Sequence, residues 1–372
     1  MKVSVLQENL SKGVAIVSRS TSTQAQLPIL ANILLATEKG RLKLSATNLE
    51  TGINFYLGAK IEEEGAITVP AKTLVELISS LSPEKIHLET KGDSLKISSL
   101  NFKAEINGIN ASEFPKIPSF KGKPSFAFEA KDFKEMVDQV AFSAATDEGR
   151  PVLTGVRLAV KNGKLSLVAT DGYRLSVKRL QSPIRQPVEQ AKFKKPLIIP
   201  ARTLQEVSRI KEEGEIKILI MEKGNQLIFG LEDVEVVTRL IEGEFPAFEK
   251  IIPGEKKTKA VVDREELLRA IKITSIFARE TANIVKFQIS KNKLQISANA
   301  PQVGSNEALV EVKIEGEENE IAFNFRYLVD FLNSVTSEEI AFEMTGPLNP
   351  GVFKIKDDPA FLHIIMPVRL QS

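Results

Sequence analysis

The stretch KLSLVATDGY, residues 164–173, reads as a strand running into a turn, and the chain says nearly the same twice more: RLKLSATNLE at 41–50 and KLQISANAPQ at 293–302. Leu42, Leu165 and Leu294 coincide, as do Leu44, Leu167 and Ile296, and then Ala46, Ala169 and Ala298. Apolar residues two apart turn one face of a strand toward a core. The copies start 123 and 129 residues apart. The phrase therefore marks a unit of roughly 120 residues, near the commonest domain size, used three times. A solenoid is excluded, because its repeats run about 20–45 residues.

Two more phrases recur in the same order. VPAKTLVELI (69–78), IPARTLQEVS (199–208) and FNFRYLVDFL (323–332) carry helical spacing, as in Leu74, Leu77, Ile78 and Leu81, or Leu328, Phe331, Leu332 and Val335. Pro70 and Pro200 stand just outside the helix starts. QENLSKGVAIVSRS (7–20), AKDFKEMVDQVAFS (130–143) and REELLRAIKITSIF (264–277) supply a second amphipathic helix per copy. SEFPKIPSF (112–120) and GEFPAFEKI (243–251) close the first two copies, and Pro-containing basic stretches follow them. The expected organisation is three domains, 1–121, 122–253 and 254–372. Each is an α+β unit of two helices on an antiparallel sheet.

The composition removes several functions. There is no cysteine, so disulfides, thiol nucleophiles and thiolate-bound zinc are out. The N-terminus lacks the apolar core of a signal peptide, and LPILANILLA is too short to span a bilayer. The reading is a soluble cytoplasmic protein. His87 and His363 each sit on a strand-like pattern without a partner, and phosphate-loop, zinc-protease and serine-hydrolase motifs are absent. No catalytic residue, metal ligand or cofactor is assigned. With 50 basic against 48 acidic residues, any DNA binding requires the positive charge to be sorted onto one surface.

Such sorting is visible. The second helix carries Lys72, Arg202 and Arg326 at one address, with Glu76, Glu206 and Asp330 four positions on. An i,i+4 ion pair on a solvated face is the plain reading. The acidic runs EEEG (62–65), KEEG (211–214) and EGEENE (315–320) fall in turns instead. TDGYR (170–174) has no sibling, since the other copies read TNLET and NAPQV, and HIIMPVRL at the C-terminus is equally private. A feature of one copy is not needed for the shared fold and points to a task of its own.

LPIL (27–30), VPAKTL (69–74), ATDGYRL (169–175), EFP (244–246), Phe323, Asn324 and Tyr327, and MPVRL (366–370), in this order over the whole chain, resemble the bacterial DNA polymerase III β subunits, the sliding clamps. The resemblance implies a processivity fold closing as a head-to-tail dimeric ring, with helices lining the hole and sheets outside. It implies a tether for DNA polymerase III and other replication and repair proteins, with no chemistry of its own. Lys72, Arg150, Arg202, Arg209 and Arg326 would meet the phosphates of double-stranded DNA without reading sequence. Gln24 stands where a relative has Arg. Partners, among them the polymerase α subunit, the clamp loader and other proteins with a clamp-binding motif, would insert a peptide with Gln and apolar anchors. Its pocket would be Leu153, Thr170, Gly172, Tyr173, Arg174, Leu175, Pro246, Ile251, Asn324, Tyr327, Met366, Pro367, Val368, Arg369 and Leu370. Ile78, Leu81 and Phe102 would meet Ile276 and Phe277 across the dimer joint, each with core packing as an equal alternative. Two other classes stay open on residues alone: a β-rich carbohydrate-active enzyme with a carboxylate pair, and a modular interaction protein that never closes into a ring.

Overall fold

The computed structural model describes residues 1–22, 27–161, 164–181, 184, 195–210, 213–221, 224–290, 292–356 and 358–369. Repeat one runs β1 (Lys2–Leu6), α1 (Gln7–Val17), β2 (Asn32–Glu38), β3 (Arg41–Thr47), β4 (Thr51–Gly58), β5 (Lys60–Glu63), β6 (Ala66–Pro70), α2 (Ala71–Ser80), β7 (Lys85–Lys91), β8 (Ser94–Ser98) and β9 (Lys103–Asn107). Repeat two runs β10 (Phe126–Glu129), α3 (Ala130–Val140), β11 (Gly155–Lys161), β12 (Lys164–Thr170), β13 (Arg174–Arg179), β14 (Leu197–Pro200), α4 (Ala201–Arg209), β15 (Glu215–Met221), β16 (Gln226–Gly230) and β17 (Val234–Arg239). Repeat three restores the order of the first: β18 (Thr258–Asp263), α5 (Arg264–Ala278), β19 (Ile284–Ser290), β20 (Lys293–Ala300), β21 (Gly304–Glu311), β22 (Lys313–Gly316), β23 (Asn319–Asn324), α6 (Phe325–Ser334), β24 (Glu339–Met344), β25 (Gly351–Ile355) and β26 (Phe361–Ile365).

The strands do not stay within their repeats. In repeat one, β2, β3, β4 and β6 form half a sheet, and the other half comes from repeat two: β10-β15-β16-β17-β4-β3-β2-β6. The same join recurs as β14-β11-β12-β13-β26-β25-β24-β18-β22 between repeats two and three. Two half-sheets are left, β5-β1-β7-β8-β9 and β21-β20-β19-β23. Contacts accordingly group the described chain into two compact units: Met1–Lys131 with Arg209–Leu240, and the remainder.

In unit one, α1 buries Leu10, Val14 and Val17. It can lie this close to the sheet because of Gly13, where a Cβ would stand 2.7 Å from Leu44 Cδ1 and 2.9 Å from Phe55 Cδ1. Ile78, expected as a joint residue, is fully buried inside this unit. The helical stripe that made it a candidate is the core face of α2. In unit two the core is aromatic. Phe342 and Phe353 stack at 4.7 Å, and Phe287 and Phe323 meet edge-on at 5.7 Å.

His363 lies within this aromatic core. Its ring stacks on Phe331 at 4.9 Å, its Nδ1 shares a hydrogen bond with the Ser176 hydroxyl, and its Nε2 is buried without a partner among the described residues. Burial, and then the Arg174 charge, hold its pKa well below the ordinary 6.5. The unfolded chain binds a proton at the ordinary value, so stability is complete above 6.5 and is lost as pH falls below it. The loss can reach about 1.4 kcal/mol per pH unit. Urea midpoints measured from pH 7.5 to 5 are expected to fall more steeply for the native chain than for His363→Phe. Equal slopes would refute this role. His87 instead bonds Ser4 across β1 and β7, at 2.8 Å.

Candidate functional site

The turn after β12 is built by two side chains. The Thr170 hydroxyl donates to the Arg174 carbonyl at 2.6 Å and accepts from the Gly172 N–H at 3.0 Å. Asp171 Oδ1 accepts from the N–H groups of Tyr173 and Arg174, at 2.8 and 3.0 Å. Gly172 supplies a positive φ of 95°. Repeat one makes the same turn. The Thr47 hydroxyl donates to Thr51, Leu49 N–H donates to Thr47, and Asn48 Oδ1 accepts from Glu50 and Thr51. The backbone of TDGYR is thus shared, contrary to the sequence expectation, and its side chains are what is private.

Those side chains converge. The Arg174 guanidinium donates to Asp171 at 3.0 Å and to Asp330 at 2.6 Å, and it lies 4.8 Å from the centre of the Tyr327 ring and 5.5 Å from that of Phe142. Burial and the nearby Asp171 raise the Tyr327 pKa. Tyr173 is 59% exposed on the outside of the turn. Its carbonyl accepts from Met366 N–H at 2.8 Å, and Val368 N–H donates to Ala322 at 2.8 Å. The C-terminal residues Met366–Arg369 are thereby pinned beside the turn, partly exposed. Ile251, 40% exposed, sits at the end of a 3-10 turn (Phe248–Ile251) that crosses the sheet. Beneath it Phe248 packs on Leu175, Val177, Val352 and Ile364.

Most of the expected pocket is therefore together in unit two, with some roles changed. Leu175 and Thr170 are buried and form floor, not open wall. Asn324 caps α6, accepting from Arg326 N–H at 3.0 Å. Pro246 is exposed beside Phe245, and Leu153 is half-buried. Leu370 and Gln24 lie outside the described residues. Arg150, expected at DNA, lays its guanidinium on the turn, donating to the Asp171 carbonyl at 2.9 Å. Asp171, Asp330, Phe142 and Phe248 were missed. Asp330 had been assigned to an i,i+4 pair with Arg326, but it turns to Arg174.

At the junction of unit one the space that matches Leu175 is filled differently. Gly52 stands where unit two has Leu175, pairing with Thr47 as Leu175 pairs with Thr170. Ile117 fills the space, within 3.0 Å of where a Gly52 Cβ would be. Phe120 lies over Gly230, and its N–H donates to Glu235 at 3.0 Å.

Lys72, Arg202 and Arg326 are exposed, and each is the second residue of its helix. The helix dipole disfavours a cation there by about 0.3–1 kcal/mol. None of the three forms an ion pair among the described residues. At α2 no side chain caps the first turn, and N–H groups left free beside a cation suit a phosphate; at α6 the Arg326 N–H is taken by Asn324. Arg209 ends α4, where the dipole itself favours positive charge.

Asp171→Ala removes the acceptor of two backbone N–H groups and of Arg174, and is expected to destabilise by about 2–3 kcal/mol in urea unfolding. Asp171→Asn keeps the two backbone bonds and should lose about half as much. Equal losses would mean that the Arg174 pair, and not the two backbone bonds of the turn, sets the effect.

Three comparisons agree with this architecture. Models of the DNA polymerase III beta subunit match in order: the N-terminal domain over 1–118, the central domain over 127–247 and the C-terminal domain over 249–369. The chain is 31% identical to the beta sliding clamp of Synechocystis sp. over 389 residues and 30% identical to that of Synechococcus elongatus over 380, covering all of both chains in each case. Over full length it superposes on the sliding clamp of Bacillus subtilis (27% identity, TM-score 0.92) and on the DNA polymerase III beta subunit of Thermotoga maritima (31%, 0.91). The chain belongs to the DNA polymerase III beta subunit family, the sliding clamps.

Proposed function

We propose that the chain closes as a homodimeric ring on duplex DNA and tethers a replicative polymerase there through the pocket of unit two. A clamp does no chemistry; it turns dissociation of the polymerase into a local, quickly reversed event. Lys72, Arg202 and Arg326 meet phosphates, and topology retains the ring. The three domains, 1–121, 122–253 and 254–372, are its segments, and the bacterial cytoplasm is where it works. Peptides of the polymerase α subunit, the clamp loader and other partners share the pocket, anchored over Ile251, Tyr327 and Met366.

The leftover sheet edges carry this reading. Inside the chain, β4 pairs with β17 and β13 with β26. Their counterparts β21 and β9 are edge strands, paired on one side with β20 and β8 and on the other with no strand among the described residues. Transposing either internal register sets Phe102 opposite Ala308, Lys103 opposite Glu307 and Ala104 opposite Asn306 of a second copy. The same offset arises from both internal junctions. Val234 and Phe361, the internal counterparts of Phe102, are buried, whereas Phe102 is half exposed. Ile276 and Leu309, 58% and 64% exposed, flank the joint with Leu81 at its other side. Phe277 packs partly on the core of its own unit, so Ile276 is the better residue to change.

The cross-strand pair of Lys103 and Glu307 contributes about 0.2–1 kcal/mol at each of two joints. Lys103→Glu should raise the dimer dissociation constant about tenfold or more. Adding Glu307→Lys should restore it in analytical ultracentrifugation, and a double variant as weak as the single one would refute the register. The function itself is tested by loading on nicked circular DNA with a clamp loader and ATP, then linearising. Retention on circles and loss from cut DNA are expected. Equal retention on both, lost with salt, would mean ordinary electrostatic binding.

A further inference from the structure

A second depression lies on the sheet face that carries the pocket, across the crossing segment at Ile251–Ile252. Ile251 is exposed on the pocket side, and Ile252 lines the neighbouring groove of about 540 Å³. Its apolar floor is Ile252, Val352 and Leu362. These three belong to the same apolar cluster as Leu175 and Ile364 beneath the pocket, so the two depressions share one floor. The rim is charged. Lys256 and Lys354 both donate to one carboxylate, Glu343, at 3.2 and 2.6 Å. One acid serving two lysines leaves a positive excess. Arg179 adds to it from β13, and Glu255 is the single opposing group on the rim. Both lysines keep nearly half of their side-chain surface in solvent, so their remaining donors are accessible.

We infer that this groove is an extension of the partner site, taking the acidic, apolar-containing segment that flanks a partner's anchor peptide. It rests on the pocket reading above. The anchors occupy the pocket. The flanking chain then crosses at Ile251–Ile252, lays an apolar residue on Val352 and Leu362, and sets a carboxylate between Arg179 and the two lysines. Charge sign and continuity with the pocket select this occupant over a basic or neutral one. Groups at the rim act on how fast and how selectively a partner docks more than on the anchor itself.

The test uses the full chain and labelled synthetic peptides in fluorescence anisotropy. One peptide carries the Gln, Leu and Phe anchors alone. Two more carry them extended at either end by Glu-Leu-Glu, and controls carry Lys-Leu-Lys. At least one acidic extension should bind about tenfold tighter than the anchor peptide, with the gain shrinking as salt rises. Lys256→Glu with Arg179→Glu should abolish that gain and leave anchor affinity unchanged. A basic extension that gains as much, or a gain that survives both reversals, overturns the inference while the pocket stands. Failure of the anchor peptide itself to bind would remove the pocket reading and this one together.

Discussion

A sheet edge must be paired, covered or blunted, because its row of N–H and C=O groups otherwise invites another strand. This chain settles that demand by sharing. Each repeat folds as two half-sheets, and neither half is complete until it meets the complementary half of a neighbour. The internal joins of β4 with β17 and of β13 with β26 are therefore not contacts between finished domains. They are the middle of continuous sheets, and that is why the compact units cut across the repeats. A linear chain of such repeats necessarily ends in two unmatched halves.

The pocket depends on the same joins. Arg174 opens β13, Ile364 and Ile365 close β26, and their pairing brings the turn after β12 beside the C-terminal residues. The crossing segment then lies over the seam. What occurs at a seam is decided by small differences of volume. In unit one, two glycines let Ile117 and Phe120 descend. In unit two, Leu175 lifts Phe248 and leaves Ile251 at the surface. The cation at the second position of α2, α4 and α6 opposes the helix dipole in every repeat, which is hard to explain by folding and simple to explain by an anion outside.

Much of this was legible in the sequence, for a physical reason. Strand period and helix period survive divergence because burial enforces them, so three copies of KLSLVAT and of the second helix announced the units. The address of Lys72, Arg202 and Arg326 was legible because it repeats. Long-range choices were not. Asp330 had a cation four residues away and another, Arg174, reached only through the fold; spacing favours the first and geometry the second. Ile78 belonged to a stripe that reads alike whether it faces a core or a partner. The turn of TDGYR looked unique because Asp and Asn, or Gly and Leu at positive φ, do the same backbone work with different letters.

On the proposed partner pocket, the filled space over Gly52 in unit one also governs traffic. With the partner pocket in unit two alone, as proposed, each chain offers one such seat, and a two-chain ring offers two. Proteins that need the clamp must then take turns or sit in pairs. Occupancy becomes a schedule set by residence times, and a partner that also held the neighbouring groove would keep its place longer without any change to the anchor that all of them share.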